Sequence, residues 1–275
     1  MWTLSGFADE IDPDLATQCQ VLRELDITHI ELRSAWDVNV LDWSDEQLSE
    51  VESVLAAYSI SVSSIGSPIG KINIEDDFEA HLRRMDRALT VAHRLRAPYI
   101  RLFSFFLRDD QAPADHRDEV IRRMRALVDA AAGHDVVLLH ENEKDIYGDV
   151  PDRVLDLVES VDSPQFKLAW DAANYVQCGV RPFTEGYDRL RPHVAYIQIK
   201  DALAATGEVV PAGEGDGEVL RTIRALRADG FDGFFSMEPH LGSTHSLGGF
   251  TGTDLFVHAT KAFTTLLDSE GIEYV

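Results

Sequence analysis

Four acidic or amide side chains close four successive apolar runs in the second half of the chain: Glu141 in VVLLHENE, Asp171 in FKLAWDAAN, Gln198 in VAYIQIKD and Glu238 in GFFSMEPH. Glu143, Asn174, Lys200, Asp201 and His240 follow close behind them. An apolar run is built for burial, so a polar group at its end needs a partner or a purpose. Carboxylates crowded into one place repel one another unless one is protonated or a cation sits among them. Three carboxylates and an amide carbonyl form a divalent-cation site, and all-oxygen ligation suits Mg2+ or Mn2+ better than Zn2+. One such glutamate alone is an ordinary helix cap or solvated loop residue; four on consecutive runs carry the functional reading.

That reading requires a fold that gathers the run ends. Eight strand-length apolar runs recur along the chain: 3–8, 27–32, 60–65, 99–103, 136–140, 166–170, 194–199 and 233–237. Most are rich in β-branched or aromatic residues, as strands are. Between them lie segments of helical spacing. DEQLSEVESVLAAY places Leu48, Val51, Val54 and Leu55 on one face, and 118–132 and 217–228 behave alike. Ser44 and Gln47 form a capping-box pattern, and Pro151 suits a first helical turn. Alternating strands and helices predict a parallel sheet, and eight units close a (β/α)8 TIM barrel. Active sites of such barrels lie at the C-terminal strand ends, where the four residues fall. A doubly wound open sheet is the rival. It calls for a Gly-rich first turn, and this chain reads GFADEID there. No linker or break in composition divides residues 1–275, so one α/β domain is expected.

The formal charge of −23, from 25 basic and 48 acidic residues, repels phosphate backbones and anionic membrane surfaces. Nucleic acid and membrane partners are therefore not expected, and most of these carboxylates read as solvated helix faces. No apolar stretch is long enough for a membrane span, and the N-terminus lacks the pattern of a signal peptide. Two cysteines, Cys19 and Cys178, are too few for a disulfide framework, so a cytoplasmic location is the simplest expectation.

The stretches ENE (141–143), AWDAAN (169–174), IQIKDA (197–202), PAGEGDGE (211–218) and SMEPH (236–240) together resemble the sugar phosphate isomerase/epimerase group. These are xylose isomerase-like TIM barrels, among them tagatose 3-epimerases, hydroxypyruvate isomerases and inosose dehydratases. GFADEID and IELRSAWDVNVLDWSDEQL are similar to the group too, so the resemblance spans nearly the whole chain. It implies a divalent metal on Glu141, Asp171, Gln198 and Glu238. It also implies that Glu141 and Glu238 form an acid/base pair acting beside a substrate carbonyl through an enediolate. Two positions depart from the pattern. The group usually reads HxKD where this chain has QIKD, which puts an oxygen donor at Gln198 and moves preference toward Mg2+ or Mn2+. Asn174 stands where several members have His, in a region that holds substrate hydroxyls, which weakens the case for a free ketohexose substrate. The implied partner is a sugar or polyol-like small molecule, and group members are often dimers or tetramers.

Other residues carry paired readings. Lys200 orients Asp201 or a substrate hydroxyl, or it is an ion-pair partner of Asp201 or Glu238. Arg33 receives a carboxylate or phosphate in bidentate fashion, or it forms a salt bridge with Glu31 or Asp9. Lys71 and Arg101 are weaker anion-binding candidates. PAGEGDGE lacks phosphate-loop spacing and is a tight loop before a helix; the resemblance lays it over the site, with Glu214 touching substrate. His140 and His240 read as rim or hydrogen-bonding residues. Trp36, Trp43, Phe105 and Phe106 are either an apolar wall for a sugar or ordinary packing. The same metal–enolate chemistry also serves dehydration or elimination by a keto-inositol dehydratase or keto-glycoside lyase. A catalytically weakened sugar-binding barrel is the non-enzyme alternative. A repair endonuclease would need a His-rich site and a basic face, which this sequence does not offer.

Overall fold

The computed structural model describes residues 1–242, 244–245 and 248–275. Eight parallel strands form the barrel: β1 (Thr3–Gly6), β2 (His29–Leu32), β3 (Ser61–Ile65), β4 (Tyr99–Leu102), β5 (Val137–Glu141), β6 (Phe166–Asp171), β7 (Val194–Ile199) and β8 (Phe234–Met237). Their order around the sheet is β1-β8-β7-β6-β5-β4-β3-β2. Among the described residues no ladder joins β1 to β2, which pack side by side and nearly close the cylinder. The first run stops at Gly6 rather than residue 8, because the Ala8–Glu10 turn takes over.

The main helices are α1 (Leu15–Glu24), α2 (Asp45–Tyr58), α3 (Phe78–Leu95), α4 (Pro113–Ala130), α5 (Pro151–Val161), α6 (Ala172–Gln177), α7 (Val219–Ala228) and α8 (Thr253–Ser269). Ser44 and Gln47 cap α2 reciprocally, and Pro151 opens α5, both as the sequence predicts. Helix α4 begins five residues before the expected 118, because Pro113 supplies a first turn that the polar PADHR hides from hydrophobic periodicity. No described helix is long and apolar enough to cross a membrane.

Two apolar layers hold the barrel. The larger lies between the outer face of the sheet and the helices, with Leu22, Leu48, Met85, Met124, Leu157 and Phe263 fully buried in it. The smaller, built on Leu139, Ala169 and Tyr196 with Tyr99 and Phe234 against them, fills the interior. Above it the interior turns polar: the Tyr196 hydroxyl lies 2.8 Å from Ser63 Oγ, which lies 2.6 Å from Ser5 Oγ.

Candidate active site

Side chains alternate between the two faces of a strand, so residues two apart share a face. Climbing from the interior layer, Tyr99 leads to Arg101, Leu139 to Glu141, Ala169 to Asp171 and Tyr196 to Gln198 and Lys200. On β8, Phe234 leads to Ser236 and Glu238. The inward face of each strand thus runs from apolar at the bottom to charged at the top. The strand ends are not level. Asp171 pairs with Gln198, but Glu141 pairs with Ala169, and Ser236 pairs with Gln198. Strand stagger in a closed barrel produces this offset, and side chains of different reach make it up.

Glu141, Asp171 and Glu238 each offer a carboxylate oxygen, and these oxygens lie within 4.8 Å of one another. All three are buried. Gln198 reaches the same group, its Nε2 donating to Glu141 Oε2 at 3.1 Å. Gln198 Oε1 is a buried acceptor with no hydrogen-bond partner among the described residues. Three converging carboxylates beside an unengaged amide oxygen are a donor set suited to a hard divalent cation.

Cations already face these carboxylates. Lys200 Nζ lies 2.9 Å from Asp171 Oδ2 and 2.9 Å from Glu238 Oε2. Arg101 donates to Glu141 Oε2 at 2.9 Å, and Arg33 lies 3.4 Å from Glu238 Oε1. Both guanidiniums stack on Phe7, with Arg101 also over Phe103. Burial pushes the Glu141 carboxyl upward, with Arg101 opposing. Burial likewise pushes Asp171 upward, against the pull of Lys200. Glu238 goes the other way: burial opposes its charge, but Lys200, His240, Arg101 and Arg33 together hold it well below the ordinary carboxylate range. Lys200 pays for its burial through Asp171 and Glu238, which keep it an ammonium.

The remaining candidates divide between the site and its supports. Asn174 donates to Glu141 Oε1 at 3.2 Å, and its backbone N–H caps onto Asp171 Oδ1 at 2.8 Å. His240 Nε2 lies 3.2 Å from Glu10 and 3.5 Å from Glu238. Arg33 forms the Asp9 salt bridge, at 2.7 Å, while also reaching Glu238. Lys71 stacks on Phe103 and lies 3.5 Å from Glu143. Glu214 is exposed on its loop. Asp201 points away from Lys200 and anchors that loop, accepting the backbone N–H groups of Ala202, Gly213, Gly215 and Gly217. His140 bonds Ser104 behind the strand end. Trp43 is buried beneath the loop after β2 with Trp36 tilted against it, and Phe105 packs on Phe78, so these rings serve as packing.

Sequence reasoning passed over Glu10 and Asn142. Glu10 is fully buried and accepts from His240 N and Thr251 Oγ1, tying the first loop to the last. Asn142 exchanges two hydrogen bonds with the Asp171 backbone and locks the ends of β5 and β6 together. The DE pair in GFADEID and the second residue of ENE were the available signals.

The model of the xylose isomerase-like TIM barrel family matches residues 19–254. The chain belongs to that family. Among the family's curated relatives, 3-dehydroshikimate dehydratase of Bacillus anthracis is 23% identical over 134 residues, which are 49% of this chain and 48% of that protein. The 2-epi-5-epi-valiolone 7-phosphate 2-epimerase of an Actinoplanes strain is 38% identical over 105 residues, 38% of this chain and 37% of that protein. The aligned stretch thus spans about half of the first relative and less of the second. A xylose isomerase-like TIM barrel protein of Mycobacterium smegmatis, solved in complex with magnesium, superposes with a TM-score of 0.71 at 23% identity, covering 97% of this chain and 98% of that one.

Proposed function

We propose that this barrel is a divalent-metal-dependent isomerase or epimerase of a sugar or polyol-like ketone. The observation that carries this reading is the meeting of the Glu141, Asp171 and Glu238 oxygens within 4.8 Å at the C-terminal mouth of the barrel. Glu141, Asp171, Gln198 and Glu238 would hold the ion, with Mg2+ or Mn2+ favoured by the all-oxygen set. When bound, such an ion polarises a substrate carbonyl and acidifies the neighbouring C–H. Glu238 takes the α-proton onto a carboxylate oxygen. Glu141 returns a proton to the enediolate, and Asn174 fixes the Glu141 carboxylate for that step. Arg101, held by its ion pair with Glu141, faces the developing negative charge from a fixed position.

The dehydratase relative supports a second reading. The same α-proton abstraction would then be followed by loss of a β-hydroxyl, with Glu141 protonating the departing oxygen.

The test is solvent-proton exchange at the α-carbon of a panel of keto sugars and keto-inositols in D2O with Mn2+ or Mg2+. The wild type should exchange deuterium into its substrate, and the products should separate epimerisation from elimination. Glu238→Gln should still bind metal but lose exchange by about 100-fold or more. Unchanged exchange in that variant would overturn the assignment.

A further inference from the structure

Lys200 occupies an unusual position for a lysine inside a cluster of candidate metal ligands. Its Nζ lies 2.9 Å from Asp171 Oδ2 and from Glu238 Oε2, and the side chain is buried. The other oxygens of these two carboxylates are engaged elsewhere. Asp171 Oδ1 accepts the Asn174 backbone N–H that starts α6, at 2.8 Å. Glu238 Oε1 faces Arg33 at 3.4 Å, His240 at 3.5 Å and Arg101 at 3.8 Å. The two oxygens that those groups leave are the ones that Lys200 touches. Mg2+ binds oxygen ligands at roughly 2.0–2.1 Å, closer than an ammonium does. Two cations drawing on the same pair of oxygens in a buried site would repel strongly.

We propose that Lys200 is a built-in counter-cation that competes with the divalent ion for Asp171 and Glu238, so metal loading must move its ammonium off these oxygens. This inference rests on reading the strand ends as a metal site. It adds that the chain carries its own antagonist to that metal, one that sets how tightly the ion is held. Lys200 also holds the two carboxylates together when no divalent ion does, and it thereby keeps the mouth of the barrel assembled.

The experiment is calorimetric titration of chelator-stripped protein with Mn2+ alone, for wild type, Lys200→Met and Lys200→Arg, with thermal melting of each before and after metal. Lys200→Met keeps the apolar stem and removes the charge. It should bind Mn2+ at least about tenfold more tightly than wild type. Its metal-free form should melt lower, and Mn2+ should raise its Tm by more than it raises that of wild type. Lys200→Arg, which keeps a cation, should bind no more tightly than wild type. If Lys200→Met does not fold without metal, refolding in Mn2+ should recover it, and failure to recover overturns the proposal. Equal or weaker Mn2+ binding by Lys200→Met, with wild type binding normally, overturns the competition while leaving the metal-site reading intact. Absence of Mn2+ binding in all three proteins would sink both.

Discussion

Gln198 Nε2 donates to Glu141 Oε2 across 3.1 Å, so the amide of β7 positions the carboxylate of β5 from the far side of β6. That bond orients the amide and leaves its oxygen as the end without a partner. Removing the amide in Gln198→Leu should weaken Mn2+ binding by ~10–100-fold, the range found when groups that orient or complete a metal shell are lost. Gln198→His substitutes a nitrogen donor and should move the preference toward Zn2+. Competitive titration of Mn2+ against Zn2+ reads both. The same metal preference in wild type and Gln198→His would show that residue 198 does not contact the ion.

Asp201 accepts four backbone N–H groups at 2.7 to 3.1 Å and so holds the loop of residues 211–218. The approach is close enough to require glycine: a Cβ on Gly215 or Gly217 would stand 2.5 or 2.6 Å from Asp201 Oδ1. Asp201→Ala strips four donors of their acceptor at once. It should lower stability by about 2–4 kcal/mol, as charged hydrogen-bond acceptors lost from buried sites do. The urea midpoint checks this, and limited proteolysis should place new cuts in 211–218.

Arg101 combines an ion pair with Glu141 and stacking on Phe7 and Phe103. A planar guanidinium serves both at once in a fixed fork, with more donors than the compact ammonium of a lysine offers. Arg101→Met should cost about 3 kcal/mol or more, since it leaves a buried carboxylate without its cation. Arg101→Lys should recover less than half of that loss in urea unfolding. Full recovery would show that charge alone matters there.

His81 is buried on α3 and accepts the Gly70 N–H through Nε2 at 2.6 Å. Burial, aided by Arg84 and Arg123, pushes its pKa down to about 4. The folded state therefore binds fewer protons than the unfolded chain between the ordinary histidine value near 6.5 and about 4. The stability contributed by neutral His81 is complete above that window and is lost as pH falls through it. The fall from pH 7.5 to 5 should be smaller in His81→Leu than in wild type by on the order of 1–2 kcal/mol. Urea unfolding at the two pH values measures the difference, and equal slopes would sink the assignment.

The sequence located the barrel strands to within a few residues because each is a compact apolar run, and it singled out the four ligand candidates because each stands at the end of such a run. Helix α4 was harder, since its first turn is polar and rests on Pro113. The Lys200–Asp201 pairing that adjacency suggests does not form, because neighbours on a strand point to opposite faces: Lys200 turns into the mouth and Asp201 toward its loop. Glu10 was illegible for another reason. It stands in a short turn without periodicity, and its main partners, His240 and Thr251, lie at the far end of the sequence. The stacking of Arg33 and Arg101 on Phe7 likewise joins two loops and the end of β4, which no local pattern connects.

The missing ladder between β1 and β2 gives the Asp9–Arg33 pair a second significance. Asp9 follows β1 and Arg33 follows β2, so their 2.7 Å contact, with Ser34 donating to the same carboxylate oxygen, fastens the seam that backbone hydrogen bonds among the described residues leave open. The fastening sits at the C-terminal mouth of the barrel, and Arg33 also touches Glu238. Ring closure and site assembly thus share a clasp. A change that moves Arg33 would therefore loosen the seam and shift the surroundings of Glu238 together.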